Sequence, residues 1–439
     1  MSTPLPLTHK RVLSVALPVV ISNATVPILG AVDTGVVGQM GLAAPIGAVG
    51  IGAIALTAIY WIFGFLRMGT AGLTAQASGA GRAGEVAALL SRGMIIALGA
   101  GFVIMALQMP FIWLALQTAP ASEEVETLAR TYMNIRIYGA PAAIGIYATT
   151  GWLIGLERTR GVLIIQLWMN GLNIVLDLWF VLGLGWGVEG VAIATLIAEW
   201  TGLALALWLC RDALNTPAWK DWPRVFERAQ MVLFARVNRD ILLRSVMLQG
   251  IFMSFVFLGA RFGDVTLAAN HVLLQFLEIT AYSMDGFAIA AETLVGQSMG
   301  ARSVLRVRRA ALLTSFWGLV TVLFTASVFA LFGPWIIDVM TTAPEVRIEA
   351  RHYLPYMVAA PLVGCAAWML DGIFIGATRG GDMRNMMALS AVIYVAALLI
   401  LLPWIGNHGL WLALLISFIA RGITLGWKYP ALERAATTG

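Results

Sequence analysis

Charge is scarce in this sequence. Asp, Glu, Lys and Arg make up 12% of its 439 residues, and 60% are hydrophobic; an ordinary soluble domain carries about 25% charge. That balance excludes a soluble globular chain and predicts a membrane protein. The apolar runs also lack the period-two alternation of a barrel strand, which excludes an outer-membrane-type barrel. Cysteine is limited to Cys210 and Cys365, one at the end of an apolar run and one inside another, so no disulfide framework is expected and both read as packing residues. The four histidines (His9, His271, His352 and His408) show no metal-ligand spacing, and neither a nucleophile-base constellation nor a phosphate loop is present. The expectation is a protein that is no enzyme and has no cofactor and no bound metal.

What is present is a series of apolar runs. A helix needs about 20 residues to cross a bilayer, and twelve such runs occur: about 13–37, 43–66, 94–116, 132–155, 162–183, 188–209, 241–260, 267–290, 311–332, 354–376, 387–405 and 410–427. The fold class is therefore all-α and polytopic, with twelve transmembrane helices. "THKR" (Thr8 to Arg11) leads into a full-length run with no small-residue cleavage pattern behind it, so the first helix is expected to be retained.

Lys and Arg set the orientation. With the N-terminus inside, most of the 28 basic residues fall on the cytoplasmic side, including Lys10, Arg11, Arg82, Arg158, Arg160, the central stretch, Arg302 to Arg309, Arg379, Arg384 and Lys428. Both termini are expected in the cytoplasm of a bacterial-type inner membrane. The net charge of +5 follows from this asymmetry and does not signal nucleic-acid binding. Trp113, Trp186, Trp335, Trp404 and Trp427 lie near the ends of runs, where an interfacial aromatic belt is expected.

The chain repeats itself. "AQASGAGR" (Ala75 to Arg82) answers "GQSMGARS" (Gly296 to Ser303), aligning Gln76 with Gln297 and Gly79 with Gly300. "LAAP" at 42 answers "LAAN" at 267, "AP…IGLER" (Ala140 to Arg158) answers "AP…IGATR" (Ala360 to Arg379), and "GVEGVAIATLI" (Gly187 to Ile197) answers "GNHGLWLALLI" (Gly406 to Ile416), in the same order and at nearly one offset. Because six crossings return a chain to the side it started from, the two halves are parallel repeats related by an axis along the membrane normal. The expected division is a six-helix lobe over 1–209, a cytoplasmic linker over 210–240 and a second six-helix lobe over 241–439. Two such lobes suit alternating access by a secondary transporter. The Arg224 to Arg236 part of the linker reads either as a surface amphipathic helix or as a plain tether.

Carboxylates inside the runs are the candidate sites. A charge at the bilayer centre costs about 2.5–3.5 kcal/mol on insertion scales, and an apolar surround favours the neutral form of a carboxyl group, which makes protonation a variable that a transporter can use. Asp33, Asp177, Glu278, Asp285 and Asp371 lie well inside their runs, and Glu199 and Glu292 nearer the ends. Arg136 and Arg421 are the nearest basic residues at comparable depth. Asp33 and Asp177 are placed together in the outer part of the first lobe. Asn170, Asn173 and Asp177 follow at i, i+3 and i+7 on one helix face, and Thr195 adds a hydroxyl from the next helix. Pro27, two turns before Asp33, cannot donate to the carbonyl of Asn23 and marks a hinge.

Glu278, Asp285 and Glu292 share a face, and Asp371 opens "DGIFIGATR" as Asp285 opens "DGFAIAAE". Asp285 and Asp371 are each followed by Gly and equally suit the bracing of a close helix contact. Glu199 and Glu292 read as snorkelling interfacial groups. Met247, Phe252, Met253, Phe255, Tyr60 and Trp61 suit an adaptable cavity for bulky organic cations, or plain packing.

The runs "LPVVISNATVPILGAVDTGVVG" (Leu17 to Gly38), "NIVLD" (Asn173 to Asp177), "MDGFAIAAETLVGQSMGA" (Met284 to Ala301) and "LDGIFIGATRGGDMRN" (Leu370 to Asn385) resemble the multidrug and toxic compound extrusion (MATE) transporters, in the branch typified by DNA-damage-inducible protein F. The resemblance covers essentially the whole chain. It implies a pair of six-helix lobes exporting organic cations or other amphiphiles in exchange for H+ or Na+, with a first-lobe cation site matching Asp33, Asn173, Asp177 and Thr195, and a first helix that bends at Pro27 on protonation. Other branches carry a coupling Glu on the seventh helix, and none occurs here between Ile241 and Ala260.

The expectation is a monomeric antiporter driven by H+, with a Na+-coupled exporter or a lipid-linked precursor flippase as alternatives. A flippase would call for a basic cavity, whereas the runs are nearly free of Lys and Arg. A membrane enzyme would need a His, Cys or metal cluster, and a channel would not call for duplicated lobes.

Overall fold

The structure, a computed structural model, describes residues 6–39, 42–119 and 121–438, the side chains at 28, 30, 31, 33, 34 and 438 excepted. Among the described residues every element is helical. In chain order these are α1 (His9–Gly38), α2 (Ala43–Ile62), α3 (Gly64–Gly79), α4 (Ala83–Ala106), α5 (Gln108–Thr118), α6 (Glu123–Arg136), α7 (Ala140–Gly155), α8 (Thr159–Asp177) and α9 (Gly187–Leu209). After the short turns α10 (Arg211–Leu214) and α11 (Trp222–Val225) come α12 (Arg228–Gly259), α13 (Asp264–Gly300), α14 (Val304–Met340), α15 (Pro344–Gly376), α16 (Gly380–Ile405) and α17 (Asn407–Thr438).

Each predicted run is one helix or a broken pair. The helices outrun the apolar stretches because hydropathy marks only the part that suits lipid, and polar caps carry the coil further. α6 starts well before the apolar run, with the Ser122 side chain accepting from the amide of Val125 at 3.4 Å and Glu123, Glu124 and Glu126 in the first turn, where acids complement the helix dipole. A 3-10 turn over Ile137–Gly139 then joins α6 to α7, with Pro at the start of α7. Ten described helical stretches are long and apolar enough to cross a membrane. Trp113, Trp186, Trp335, Trp404 and Trp427 all lie exposed.

The chain forms two compact units. One comprises Ile21–Thr74 and Arg82–Phe234; the other comprises Met1–Val20, Ala75–Gly81 and Ala235–Gly439. In the first, a core built on Leu56, Tyr132, Met133 and Ile137 joins α2, α6 and α9, and Trp152 and Ile165 centre a second cluster under Cys210. Cys210 is free and buried, and burial pushes its thiol up to about 12, as expected of a packing residue. In the second unit Phe255, Phe276, Phe329 and Trp411 centre the core.

The stretch after α9 is no loose tether. Arg92 of α4 donates from Nε to the carbonyl of Val225 at 2.8 Å and from Nη2 to that of Arg224 at 2.6 Å, pairs with Glu85, and lies 1% exposed. Ser91 donates to the Trp219 carbonyl at 2.8 Å. These bonds seat the linker on α4, and residues 228–236 already belong to α12.

The repeat is visible in the backbone. A Cβ on Gly79 would stand 2.0 Å from the carbonyl oxygen of Gln297, and one on Gly300 would stand 2.0 Å from that of Gln76. The two copies of the repeated motif therefore pack reciprocally on each other, and only glycine lets the backbones approach so closely. Left-handed caps recur too: Gly81 (φ 69°) answers Arg302 (φ 53°), and Glu157 (φ 60°) answers Thr378 (φ 52°). Arg158 donates to the Leu153 carbonyl at 2.8 Å and Arg379 to that of Phe374 at 3.0 Å, the same six-to-one closure at both helix ends.

A left-handed L-residue costs about 1–2 kcal/mol, so the exposed Arg302 offers a test. Arg302→Gly is expected to keep or raise the thermal midpoint of the purified protein in detergent. Arg302→Val, whose branched Cβ suits that conformation worst, is expected to lower it.

Candidate ion-coupling site

Three polar residues face inward from α8 at the predicted spacing. Asn170, Asn173 and Asp177 are 6%, 1% and 0% exposed. The Asn173 amide donates from Nδ2 to Oδ2 of Asp177. Asn170 donates to Oγ1 of Thr25 on α1 at 2.8 Å and accepts from Gln166 at 3.0 Å. One face of α8 is thus a continuous polar stripe that reaches α1 through Thr25, two residues before Pro27. Thr195 lies half-buried on α9, and its hydroxyl donates to the Val191 carbonyl at 3.0 Å. Pro27 lies exposed within α1. Asp33 falls on the same helix, and its side chain lies outside the described residues.

The backbone changes character at the acid. α8 ends at Asp177 and continues as a π-turn over Leu178–Gly183, with Leu184 donating to the Trp179 carbonyl at 2.9 Å. Such widened turns concentrate at functional sites because they release backbone groups from the regular ladder. Gly190 makes room for it, since a Cβ there would stand 3.1 Å from Cβ of Phe180.

The other carboxylates divide sharply. Glu199, read from sequence as a snorkelling group, is buried and bound bidentately by Arg136 at 2.7 and 3.0 Å. A Cβ at Gly139 would stand 2.1 Å from Oε2 of Glu199, so glycine there makes room for the pair. Asp371 is 5% exposed and pairs with Arg244 of α12, while Nη2 of Arg421 on α17 stands 3.7 Å from the same oxygen. Arg244 lies just past the charged linker in sequence, and α12 carries it into the apolar span. The spans are therefore not free of basic residues: Arg136, Arg244 and Arg421 lie buried, each near an acid of its own unit.

Gly372 and Gly286, the residues after Asp371 and Asp285, do brace close contacts: a Cβ on Gly372 would stand 2.3 Å from the Ala288 carbonyl oxygen, and one on Gly286 2.7 Å from that of Ala16.

The acids of α13 do not share one environment. Glu278 is exposed, Asp285 half-buried and Glu292, read from sequence as interfacial, is 2% exposed. Among the aromatic and Met candidates, Phe255 and Tyr60 are core residues, Tyr60 donating to the Arg136 carbonyl at 3.3 Å, whereas Met253 and Trp61 are 50% and 44% exposed. A cavity of about 380 Å³ between α12 and α13 is lined by Phe255, Val256, Asp264, Leu267, His271 and Leu274. No predicted site carboxylate lines it.

Comparison with known proteins is consistent with this fold. The MatE family model matches residues 18–179 and 241–401, one match in each half. The chain is 42% identical over 425 residues to DNA damage-inducible protein F of Escherichia coli (strain K12), covering 95% of this chain and 92% of that protein. It is 26% identical to the probable multidrug resistance protein NorM of Xanthomonas campestris pv. campestris, covering 97% and 94%. The Vibrio cholerae MATE transporter VcmN in its bent form superposes with a TM-score of 0.85 at 19% identity, covering 98% of each chain, a likeness of fold alone. Matched by the family model in both halves and by a close relative along nearly its whole length, the chain belongs to the MatE family of multidrug efflux transporters.

Proposed function

We propose that this protein is a proton-driven antiporter that exports organic cations or amphiphilic compounds by alternating access. Asp33 and Asp177 carry the exchanged proton; Asn173, Asn170 and Thr195 shape the surround, and Pro27 serves as the hinge of α1. The observation that carries this reading is the fully buried Asp177, which accepts from the Asn173 amide on the polar face of α8. That amide serves the carboxyl group in either protonation state. Neutralising Asp371 or Glu199 would instead leave an arginine buried without its counter-ion. The second-lobe acid Asp371 is thus a structural anchor in this proposal, and Glu278 and Asp285 are left as candidates for cargo contact.

Energetically a single proton suffices for useful work. One pH unit is worth about 1.4 kcal/mol per proton, tenfold in the accumulation of a neutral-stoichiometry cargo. Linkage requires cargo and proton to weaken each other at the coupled site. The orientation proposed is the one that basic residues favour, with both termini cytoplasmic and the working unit a monomer. Buried arginines do not favour a flippase, because each already holds an acid.

Vesicles loaded with a fluorescent organic cation test the proposal. A pH gradient alone is expected to drive transport, and a sodium gradient alone is not. Asp33→Asn and Asp177→Asn are each expected to reduce proton-driven transport at least tenfold with insertion intact; sodium-driven transport, or normal antiport in both variants, would overturn it.

Asp371→Asn is expected to act differently. Removing one partner of a buried pair costs about 3–5 kcal/mol, so the thermal midpoint should fall steeply while the folded fraction keeps its proton dependence. A stable Asp371→Asn variant that has lost coupling would move the site to the second unit.

A further inference from the structure

Two histidines that sequence separates widely meet in space. His352 on α15 and His408 in the first turn of α17 face each other with their Nε2 atoms 3.0 Å apart, the ring centroids 4.9 Å apart and the planes at 69°. Nδ1 of His408 stands 2.9 Å from the hydroxyl of Tyr356, one turn beyond His352. Tyr353 packs on both rings, at 5.0 and 4.8 Å. His352 is exposed and His408 half-buried, so solvent reaches the pair. We propose that His352 and His408 form a binding site for a divalent transition-metal ion of the imidazole-preferring class, Zn2+, Ni2+ or Cu2+.

The geometry supports it at three points. Two metal–nitrogen bonds of about 2.05 Å separate their nitrogens by roughly 2.9 Å at a right angle and roughly 3.3 Å at the tetrahedral angle, which brackets the observed 3.0 Å. The two Nε2 atoms form a hydrogen bond with each other, so they already stand at ligand–ligand distance, and a metal takes the place of the shared proton with a modest turn of the rings. Metal-bound histidine usually has its second nitrogen held by an outer partner that fixes tautomer and ring orientation, and the Tyr356 hydroxyl occupies that place for His408. Imidazole nitrogen selects Zn2+, Ni2+ and Cu2+ over hard cations such as Mg2+ and Ca2+.

The surroundings leave the site accessible to a cation. Arg351 is held by Asp338 at 2.6 Å, and Arg347 stands 3.6 Å from the same carboxylate. Glu349, one turn before His352, accepts from Thr266 at 2.8 Å and adds negative potential. Among the described residues no third His, Cys, Asp or Glu completes the group, so water fills the remaining positions and the ion exchanges readily. A bound metal ties the start of α17 to α15 within one compact unit. With the proposed orientation the site opens to the outside, which makes it a point where external metal acts on the transporter.

The test uses the full chain, free of any affinity tag, purified in detergent and stripped with a chelator. Isothermal titration with Zn2+ and with Ni2+ is expected to show one ion bound per chain and a rise in the thermal midpoint on loading. His352→Ala and His408→Ala should each weaken binding at least tenfold and abolish the thermal rise. Tyr356→Phe should weaken it severalfold, and His271→Ala should leave it unchanged. His352→Asn, which keeps a polar side chain and removes the ligand nitrogen, carries the same expectation should an alanine variant fail to fold. Absence of uptake by the native chain, or uptake that survives loss of both histidines, would overturn the proposal.

Discussion

A charge buried in an apolar surround must be neutralised, and the interior of this protein is organised by that rule. Desolvating an ion costs several kcal/mol even after relaxation, so each buried carboxylate needs a compensating group. Glu199 has a bidentate guanidinium from Arg136. Asp371 has Arg244, with Arg421 close behind. Asp177 has the amide of Asn173. The first two solutions fix the charge in place, whereas an amide serves the carboxylate in either protonation state. In the proposed mechanism the arginine-paired acids are anchors and Asp177 is the one that exchanges its proton.

The duplicated architecture holds both arrangements. Reciprocal glycine contacts between the motif copies, at Gly79 on Gln297 and Gly300 on Gln76, and matched left-handed caps at Glu157 and Thr378 preserve the backbone of the repeat. Ion pairs occur in both units, Arg136 with Glu199 in the one holding α8 and Arg244 with Asp371 in the one holding α15, and Asp177 accepts from the Asn173 amide. A π-turn follows Asp177 and loosens the helix at that point. The polar face of α8 that holds the acid also carries Asn170, which donates to Thr25 of α1, two residues before Pro27.

Much of this was legible in the sequence because it rests on local rules. Apolar runs located the helices, the matched motifs located the repeat, and i, i+3, i+7 spacing placed Asn170, Asn173 and Asp177 on one face. Helix ends were misjudged where polar caps extend the coil, as at Ser122 before α6. Tertiary pairings were hidden, since Arg244 lies 127 residues from Asp371 and Arg136 lies 63 from Glu199; the spacing within one helix carries no trace of them. For the same reason Glu199 and Glu292 read as interfacial, and His352 and His408 show no metal-ligand spacing in sequence. The π-turn also left no periodic signature, because the widened turn occurs within a run that is apolar throughout.

The most direct measurement is the proton released when cargo binds. A fluorescent organic cation titrated into weakly buffered, detergent-purified protein should liberate about one proton per molecule bound, and the Asp177→Asn variant should bind without releasing any. Binding by the native chain with no change in proton count would contradict the account, because the buried carboxyl group would then be indifferent to cargo.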